Sequence, residues 1–224
     1  MIGSILIEQP ACMPSQGLLN AFCPFLPVPG CPEIQARRSH TVFALWEAWE
    51  KEAGKECPVP FWAAVWPGAQ VLARFLIERP DMVREREVLE IGCGGAVASI
   101  AANKAGALKV TANDVDPVAL EIARENAARN RVILQFDREN RIESGSLGAA
   151  EVILCSDFFY TKSESLALAG LLAEWRDRSI TILIGDGGRA FAPEDYSKVL
   201  HEESVDVDSD LEGREKRTVR ILRY

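Results

Sequence analysis

A cluster of glycines directly after an apolar segment gives this chain a candidate ligand-binding turn. Residues 88–97 have the sequence Val-Leu-Glu-Ile-Gly-Cys-Gly-Gly-Ala-Val, in which Glu90 precedes Gly92, Gly94 and Gly95. The small residues that follow, up to position 105, favour a helix. The pattern predicts a strand, a tight turn and a helix, the start of a βαβ nucleotide-binding unit. Glycines in such a turn let the backbone approach a ligand closely.

Two residues of this segment indicate which ligand the turn would bind. A dinucleotide-binding turn has glycine at the sixth motif position, where this chain has Val97. The carboxylate of Glu90 would also repel a phosphate at the start of the helix. S-adenosylmethionine carries no phosphate, and its ammonium group suits an acid. We therefore predict an S-adenosylmethionine site that includes Glu90, Gly92 and Gly94. The alternative is a glycine cluster that only shapes a turn.

A second acid supports the cofactor interpretation. The predicted strand 108–113 ends at Asp114, which lies 22 positions after Gly92. An acid about 20 residues beyond the glycine turn can accept hydrogen bonds from both hydroxyls of a ribose. Asp114 and Asp116 also precede Pro117, so both could instead cap the helix that begins there. We predict that Asp116 is mainly the cap and that Asp114 binds the cofactor.

The end of a later strand carries candidate catalytic residues. Ser156-Asp157-Phe158-Phe159-Tyr160 follows an apolar strand, and ligands of open α/β sheets bind beyond the carboxyl ends of the strands. An enzyme that uses S-adenosylmethionine must align an unprotonated nucleophile with the methyl group. If that nucleophile is a lysine amine, its reference pKa of about 10.4 leaves it mostly protonated, and burial between aromatic walls lowers this pKa. Our hypothesis is that a charged amine docks against Asp157 and loses its proton to water, and that Tyr160 orients the lone pair. At least one of the two phenylalanines is expected in the core.

Two further side chains flank this predicted site and allow two interpretations each. Trp66 precedes Pro67-Gly68 at the start of a predicted helix, where it either packs in the core or forms a wall of the cofactor pocket. Arg189 ends the segment Gly185-Asp186-Gly187-Gly188-Arg189 after the fifth strand of the predicted sheet. That segment either serves only as a turn or presents Arg189 to an acidic patch on a protein substrate.

The predicted elements alternate in a way that is typical of a doubly wound α/β sheet. Strands are predicted at 87–91, 108–113, 132–136, 151–155 and 180–184, and helices at 41–53, 67–79, 96–105, 117–129, 163–176 and 193–200. Two extended segments, 204–211 and 217–223, predict a terminal β-hairpin. We expect a Rossmann-like class I methyltransferase fold with a seven-stranded, mostly parallel sheet, a C-terminal antiparallel hairpin and an N-terminal helical extension. Residues 1–60 are predicted to be this extension (an irregular arm over 1–35 plus one helix), and residues 61–224 the methyltransferase domain.

The composition and charge of the chain disfavour several classes of binding partner and site. The chain has 224 residues and a net charge of −8, which disfavours a nucleic-acid-binding role. Its six cysteines form no CxxC pair and it has only two histidines, so we predict neither a metal site nor a disulfide framework. Apolar stretches are too short to cross a membrane, and no targeting peptide is evident at residues 1–36. The expected location is the cytoplasm.

The motifs occur in an order that resembles a known family. They are Pro60-Phe61-Trp62-Ala63, Trp66-Pro67-Gly68, the glycine turn, Asn113-Asp114-Val115-Asp116-Pro117, Asp157-Phe158-Phe159-Tyr160 and Gly185-Asp186-Gly187-Gly188-Arg189. This set resembles the seven-β-strand protein lysine methyltransferases that include the electron-transfer flavoprotein β-subunit lysine methyltransferase, a group also labelled nicotinamide N-methyltransferase-like. The resemblance extends from about Leu26 to Tyr224. Its glycine motif is general to the superfamily, whereas the Phe-Trp-Ala and Asp-x-x-Tyr motifs are more specific.

The resemblance implies roles for particular residues. It places five of them at cofactor positions: Trp66, Glu90, Gly92, Gly94 and Asp114. It places Asp157 and Tyr160 near the lysine that accepts the methyl group. Two departures stand out. Ala96 replaces the usual third glycine, which is tolerated if its φ is negative. Residues 137–150 match no family motif, so Asp137 is only a weak candidate for adenine contact.

These observations lead to one expected function and several rivals. The chain is expected to transfer a methyl group from S-adenosylmethionine to a lysine of a protein, with the electron-transfer flavoprotein β subunit as the leading substrate. A small-molecule N-methyltransferase acting on nicotinamide or another amine is the first alternative. A non-catalytic cofactor-binding interaction module is the second, although such a module has no need of the whole set of site residues. An NAD-dependent oxidoreductase conflicts with Val97 and Glu90.

Overall fold

The computed structural model describes residues 12–192 and 198–224. The strands are β1 Phe25–Val28, β2 Cys31–Arg37, β3 Glu87–Ile91, β4 Lys109–Asn113, β5 Gln135–Asp137, β6 Val152–Ser156, β7 Thr181–Asp186, β8 Lys198–Asp206 and β9 Lys216–Arg223. The helices are α1 Gln16–Phe22, α2 Val42–Ala53, α3 Pro67–Glu78, α4 Val97–Lys104, α5 Pro117–Asn130, α6 Arg141–Ser144, α7 Lys162–Asp177 and α8 Ser209–Glu212. Among these described helices, none combines the length and the apolar character needed to cross a bilayer.

The described residues form a seven-stranded sheet with the order β5-β4-β3-β6-β7-β9-β8. Strands β3 to β7 run parallel, whereas β9 runs antiparallel to both β7 and β8. The chain builds the sheet outward from β3 through β4 to β5, and then returns to place β6 on the other side of β3. This reversal makes β3 and β6 the topological switch point, beside which ligands bind in open α/β sheets. The predicted fold is confirmed.

Helices cover both faces of the sheet. One apolar layer contains Leu72 of α3 and Ile100 of α4, and the other contains Leu172 and Trp175 of α7. Strand β6 contributes to both layers, since Leu154 packs in the first and its neighbour Ile153 in the second. A strand that is buried on both faces must be apolar at every position, which explains the unbroken Val-Ile-Leu-Cys sequence. The buried apolar segment ends with β6, and the predicted site residues follow directly after it.

The N-terminal extension is more regular than predicted. Helix α1 precedes the antiparallel hairpin β1–β2, so the irregular arm expected over 1–35 is wrong for its described part, while residues 1–11 lie outside the described residues. Arg37 fastens this hairpin to α5. Its buried guanidinium pairs with Glu125, and its backbone N–H donates to Asn126 Oδ1 at 2.8 Å. Phe25 packs beneath the same guanidinium, 4.4 Å from ring centroid to Cζ. Tertiary contacts, which the local sequence does not reveal, order this segment.

The C-terminal hairpin differs from its prediction at both ends. Strand β8 starts at Lys198, so the helix predicted over 193–200 is wrong for residues 198–200, and residues 193–197 lie outside the described residues. The extended segment predicted over 204–211 ends early, because residues 209–212 form the short helix α8. Asp208 caps that helix by accepting from the Asp210 N–H at 2.9 Å. The hairpin itself is confirmed, and α8 lies at its tip.

Candidate active site

The glycine turn connects β3 to α4 through left-handed backbone positions. Gly92 and Gly94 have φ angles of +65° and +49°. Ala96, the residue before α4, also has a positive φ of +58°, so the expectation of a negative φ at this position is wrong. A left-handed alanine costs about 1–2 kcal/mol, and the burial of its methyl group offsets only part of this cost, about 0.8 kcal/mol. The turn therefore keeps the shape that glycine would give it, with one strained residue.

Glu90 lies beneath the glycine turn and is only 1% exposed. Its Oε2 accepts from the Ser99 backbone N–H at 2.8 Å and from the Ser99 hydroxyl at 2.5 Å. Burial raises the pKa of Glu90 to about 7, although the Ser99 hydrogen bonds oppose the rise. The carboxylate therefore braces the first turn of α4. Its contact with a cofactor ammonium group stays a prediction.

Asp114 joins the end of β4 to the glycine turn. One carboxylate oxygen accepts from the Gly94 N–H at 2.8 Å, and the other accepts from the Asp116 N–H at 3.0 Å. The side chain is partly exposed, and burial raises its pKa above the ordinary value. Asp116 accepts from the Val118 N–H at 2.8 Å and so caps α5, as predicted. Two backbone donors thus orient Asp114, and its side chain stays partly exposed.

Asp137, the weak candidate for adenine contact, lies at the end of β5 next to Asp114. Its carboxylate accepts from Asn113 Nδ2 at 3.0 Å and pairs with Arg141 at 2.7 Å. The Asp114 backbone N–H donates to the Asp137 carbonyl at 3.1 Å. Asn113, which the sequence did not single out, therefore ties the ends of β4 and β5 together. Adenine contact by Asp137 stays a prediction.

Asp157 lies at the end of β6 in a left-handed conformation, with φ +48°. Its side chain is buried, and three internal donors hold its carboxylate. Oδ2 accepts from the Gly68 N–H at the start of α3, and Oδ1 accepts from Gly187 N–H at 3.3 Å and Arg189 Nε at 2.8 Å. Burial raises the pKa of Asp157, whereas the Arg189 guanidinium opposes the rise. This geometry favours a positioning role over direct capture of an amine.

Arg189 points inward rather than towards solvent. Besides Asp157, it makes a two-pronged ion pair with Glu212 of α8, at 3.1 and 2.8 Å. The proposal that Arg189 meets an acidic patch on a substrate is therefore wrong, because these internal carboxylates use its guanidinium. The sequence missed Glu212, which lies 23 positions further along the chain in a charged turn. No local pattern distinguishes it from the surface acids around it.

Four aromatic residues, Phe61, Trp66, Phe158 and Tyr160, form what we call the aromatic mouth. Ring centroids of Phe61 lie 6.2 Å from Trp66 and 5.8 Å from Tyr160, and Phe158 lies 6.3 Å from Tyr160. Trp66 Nε1 donates to the Phe61 carbonyl at 2.9 Å. Phe61 and Tyr160 are each 51% exposed, so the mouth opens to solvent. Phe159 is buried, which confirms that one of the two phenylalanines lies in the core, and Trp62 is buried as well.

The aromatic mouth and the glycine turn meet at one point. A Cβ atom placed on Gly92 would lie 2.8 Å from Phe158 Cδ2, so the aromatic ring packs directly on the turn. Arg189 Cζ lies 5.3 Å from the Trp66 ring, which links the mouth to the Asp157 carboxylate. The structure thus brings all seven predicted site residues to the carboxyl edge of β3, β4 and β6. Phe61 joins them without having been predicted, although its place in the Phe-Trp-Ala motif was a signal.

Comparison with known sequences gives a consistent relationship. Residues 72–156 match the family model described as ribosomal protein L11 methyltransferase (PrmA). The electron transfer flavoprotein beta subunit lysine methyltransferase of Xenopus laevis is 45% identical over 58% of this chain and 54% of its own length. Those of Danio rerio and Homo sapiens are 36% and 32% identical, over 76% and 70% of this chain and 66% and 60% of theirs. The chain thus spans less than two thirds of the length of these relatives.

Solved structures support the same fold. A protein of Thermoplasma acidophilum, numbered 1320, aligns with a TM-score of 0.52 and 21% identity over 69% of this chain and 88% of its own. The magnesium protoporphyrin IX methyltransferase of Synechocystis PCC 6803 aligns with a TM-score of 0.50 and 14% identity over 83% and 94%. At such identities the likeness concerns the fold alone. The chain has the seven-stranded Rossmann-like fold of the class I methyltransferases and is similar in sequence to the electron transfer flavoprotein β-subunit lysine methyltransferases.

Proposed function

We propose that this chain transfers a methyl group from S-adenosylmethionine to a lysine side chain of a protein, and that the electron transfer flavoprotein β subunit is its leading substrate. One observation carries the proposal: the Phe158 ring packs on Gly92, so the cofactor turn and the aromatic mouth form a single site. The relatives named as lysine methyltransferases of that subunit support the choice of substrate. So does the position of Asp157 and Tyr160 on the Asp-x-x-Tyr motif.

The residues of the glycine turn fit S-adenosylmethionine. When bound, this cofactor supplies a methyl group activated by a positively charged sulfur. The positive φ angles of Gly92 and Gly94 leave the backbone bare for a close approach. Asp114, fixed by two backbone N–H donors, is placed to accept from ribose hydroxyls. Glu90 supplies negative charge beneath the turn for an ammonium group. In this proposal Trp66 bounds the pocket on the side of the acceptor.

The aromatic mouth fits an amine acceptor. Its walls remove water from an entering lysine and so lower the pKa of the amine towards neutrality. Burial raises the pKa of Tyr160 above its ordinary value, so Tyr160 stays neutral, and its hydroxyl oxygen can accept from an N–H of the amine and so point the free lone pair at the methyl group. Asp157 contributes through Gly68 and Arg189, because its two oxygens are engaged with these partners and with Gly187. The proton of the incoming ammonium group leaves to water.

The open mouth distinguishes the proposal from its first rival. A small-molecule N-methyltransferase encloses its amine, whereas Phe61 and Tyr160 are half exposed at the entrance formed by the described residues. An exposed entrance suits a lysine presented by a protein surface. The net charge of −8 favours a lysine-bearing protein over a nucleic acid. We place the reaction in the cytoplasm, following the sequence analysis.

The proposal is tested by methyl transfer from radiolabelled S-adenosylmethionine into a cell lysate. We expect label in a protein band of the size of an electron transfer flavoprotein subunit. Asp157→Ala should abolish this label, while Asp157→Asn, which keeps two acceptor contacts and suits the left-handed backbone, should retain part of it. Label confined to small molecules would favour the amine methyltransferase. Cofactor binding without any label would favour the interaction module.

A further inference from the structure

A closed cycle of contacts connects the active site to the C-terminal hairpin. Asp157 accepts from Arg189 Nε at 2.8 Å, and Arg189 donates two hydrogen bonds to Glu212. Glu212 Oε2 also accepts from Arg217 Nε at 2.5 Å, and Arg217 Nη1 donates to the Gly187 carbonyl at 3.0 Å. The Gly187 N–H donates to Asp157 at 3.3 Å, which closes the cycle. We call Asp157, Arg189, Glu212 and Arg217 the charge cluster.

The charge cluster is buried and electrically balanced. The side chains of Asp157 and Glu212 are each 3% exposed, and those of Arg189 and Arg217 are each 13% exposed. Two carboxylates alternate with two guanidinium groups, so each charge has an opposite neighbour. Removing one member of such a buried set leaves its partner unpaired, which the surrounding structure relieves by moving. Any shift of Glu212 is therefore passed to Arg189.

Arg189 transmits such a shift to both sides of the acceptor site. Its Nε holds Asp157, whose other oxygen fixes the start of α3, and its Cζ lies 5.3 Å from the Trp66 ring. Trp66 belongs to the aromatic mouth, next to Phe61. Within the described part of the chain, the hydrogen bonds of Glu212 and Arg217 lead to the mouth through Arg189 and the Gly187 loop.

We propose that Glu212 and Arg217 are positioning residues for methyl transfer: the tip of the C-terminal hairpin holds Arg189, and through it Asp157 and Trp66, in the geometry that aligns the acceptor amine. This inference rests on the proposed function. It assigns a role to a part of the chain that lies outside the cofactor turn and the acceptor motifs. Alignment of the nucleophile is the main demand of methyl transfer, so small displacements reduce turnover strongly.

The test compares Glu212→Gln with Glu202→Gln. The control makes the same chemical change on the same hairpin, where Glu202 forms an exposed ion pair with Arg220 at 2.5 Å. We expect Glu212→Gln to lower kcat at least about tenfold. The Kd for S-adenosylhomocysteine should change less than about twofold, because the donors that hold Glu90 and Asp114, which are Ser99, Gly94 and Asp116, lie outside the charge cluster. Glu202→Gln should leave both values within about twofold of the wild type.

A second readout needs no substrate and so separates this inference from the proposed function. Hydrogen–deuterium exchange of the Gly187 and Gly68 amides, both donated to Asp157, should accelerate in Glu212→Gln and not in Glu202→Gln. If no protein accepts methyl but exchange responds this way, the proposed function fails and the coupling stands. Wild-type kcat and wild-type exchange in folded Glu212→Gln would overturn the inference.

The comparison requires that the Glu212→Gln variant folds. If Glu212→Gln does not fold, Arg217→Gln replaces it, since this change keeps the two-pronged pair between Arg189 and Glu212. A decrease in kcat that is smaller than the one expected for Glu212→Gln, with an unchanged Kd, would support the inference. Unfolding of both variants would overturn it, because the charge cluster would then maintain the fold as a whole instead of positioning the site. If kcat is close to the wild-type value in Arg217→Lys but reduced in Arg217→Gln, the positive charge at position 217 contributes to the positioning, which would support the inference.

Discussion

Two carboxylates near the glycine turn differ in what surrounds them. Glu90 is enclosed beneath the turn and receives two hydrogen bonds from Ser99, whereas Asp114 stays partly exposed and receives two from backbone N–H groups. Enclosure disfavours the charged form of Glu90, and orientation without full enclosure keeps Asp114 available to a ligand. The two acids therefore suit different parts of one cofactor, the ammonium end and the ribose.

The buried state of Glu90 makes a prediction about pH. A carboxyl group whose pKa is raised on folding stabilises the fold below its unfolded value of 4.5, and this contribution is lost as the pH rises through about 7. Wild type should therefore lose about 3 kcal/mol relative to Glu90→Gln between these two values. Urea unfolding of both proteins without cofactor, at about pH 5 and about pH 8, measures the difference. A pH-independent difference would show that Glu90 is already ionised in the fold.

Tyr160 makes a prediction about turnover. If its hydroxyl orients the amine and its ring closes the aromatic mouth, Tyr160→Phe should lower kcat about tenfold and Tyr160→Ala about a hundredfold, with little change in cofactor affinity. Steady-state kinetics on a purified acceptor protein measure both. Leu108→Ala serves as control, since Leu108 is 71% exposed and precedes β4 at the opposite edge of the sheet. Equal effects of the two alanine variants would remove Tyr160 from the site.

At the level of elements, the start of α3 packs unusually close to the end of β7. A Cβ atom on Gly68 would lie 2.3 Å from the Gly185 carbonyl oxygen and 2.5 Å from Asp157 Oδ2. Only glycine at both positions allows this approach, which lets Asp157 accept from the first turn of the helix. The helix dipole there favours a negative partner. The packing of two elements thus decides the position of one catalytic candidate.

This close approach predicts opposite outcomes for two glycine substitutions. Gly68→Ala should destabilise the protein by at least about 2 kcal/mol, because backbone atoms must move to accept the methyl group. Gly170→Ala in α7 should stabilise it by about 0.5–1 kcal/mol, because the added methyl meets nothing within 4 Å and alanine favours a helix. Thermal or urea unfolding compares them. Equal stability of the two variants would contradict the packing described for α3.

The elements could be predicted from the sequence wherever the pattern is local. Strands β6 and β7 contain unbroken apolar runs and helices α3 and α5 begin with proline, so their positions agree closely with the prediction. The N-terminal hairpin could not be predicted, because it depends on Arg37 reaching Glu125 across the chain. The short helix α6 lies in a segment without motif. Long-range contacts leave little local signal.

The same distinction applies to the site. The glycine turn, Asp114 and the Asp-x-x-Tyr segment lie in short motifs and were all identified, although their binding and catalytic roles stay predictions. The internal partners of Asp157 were not identified, because Gly68, Gly187 and Arg189 lie in two segments that are far from Asp157 in the chain. For this reason the expected direct contact between Asp157 and an amine gave way to a positioning role.

At the level of the whole molecule, the aromatic mouth opens at one edge of the sheet in a protein with an overall negative charge. A charge of −8 attracts lysine-bearing surfaces at long range and weakens with added salt. The described N-terminal segment packs on α5, so Phe61 follows an ordered part of the chain. The molecule thus offers an exposed aromatic entrance next to an enclosed cofactor turn. That arrangement suits an acceptor larger than the site itself.

The most direct test of this account is peptide mass spectrometry of purified electron transfer flavoprotein β subunit after incubation with the chain and S-adenosylmethionine. We expect one or more methyl groups on lysine, none with the cofactor alone, and far fewer with Tyr160→Ala. An unmodified subunit, despite measurable binding of S-adenosylhomocysteine to the chain, would contradict the proposed substrate. Methylation of free amines by the same preparation, with proteins unmodified, would contradict the central claim that the acceptor is a protein lysine.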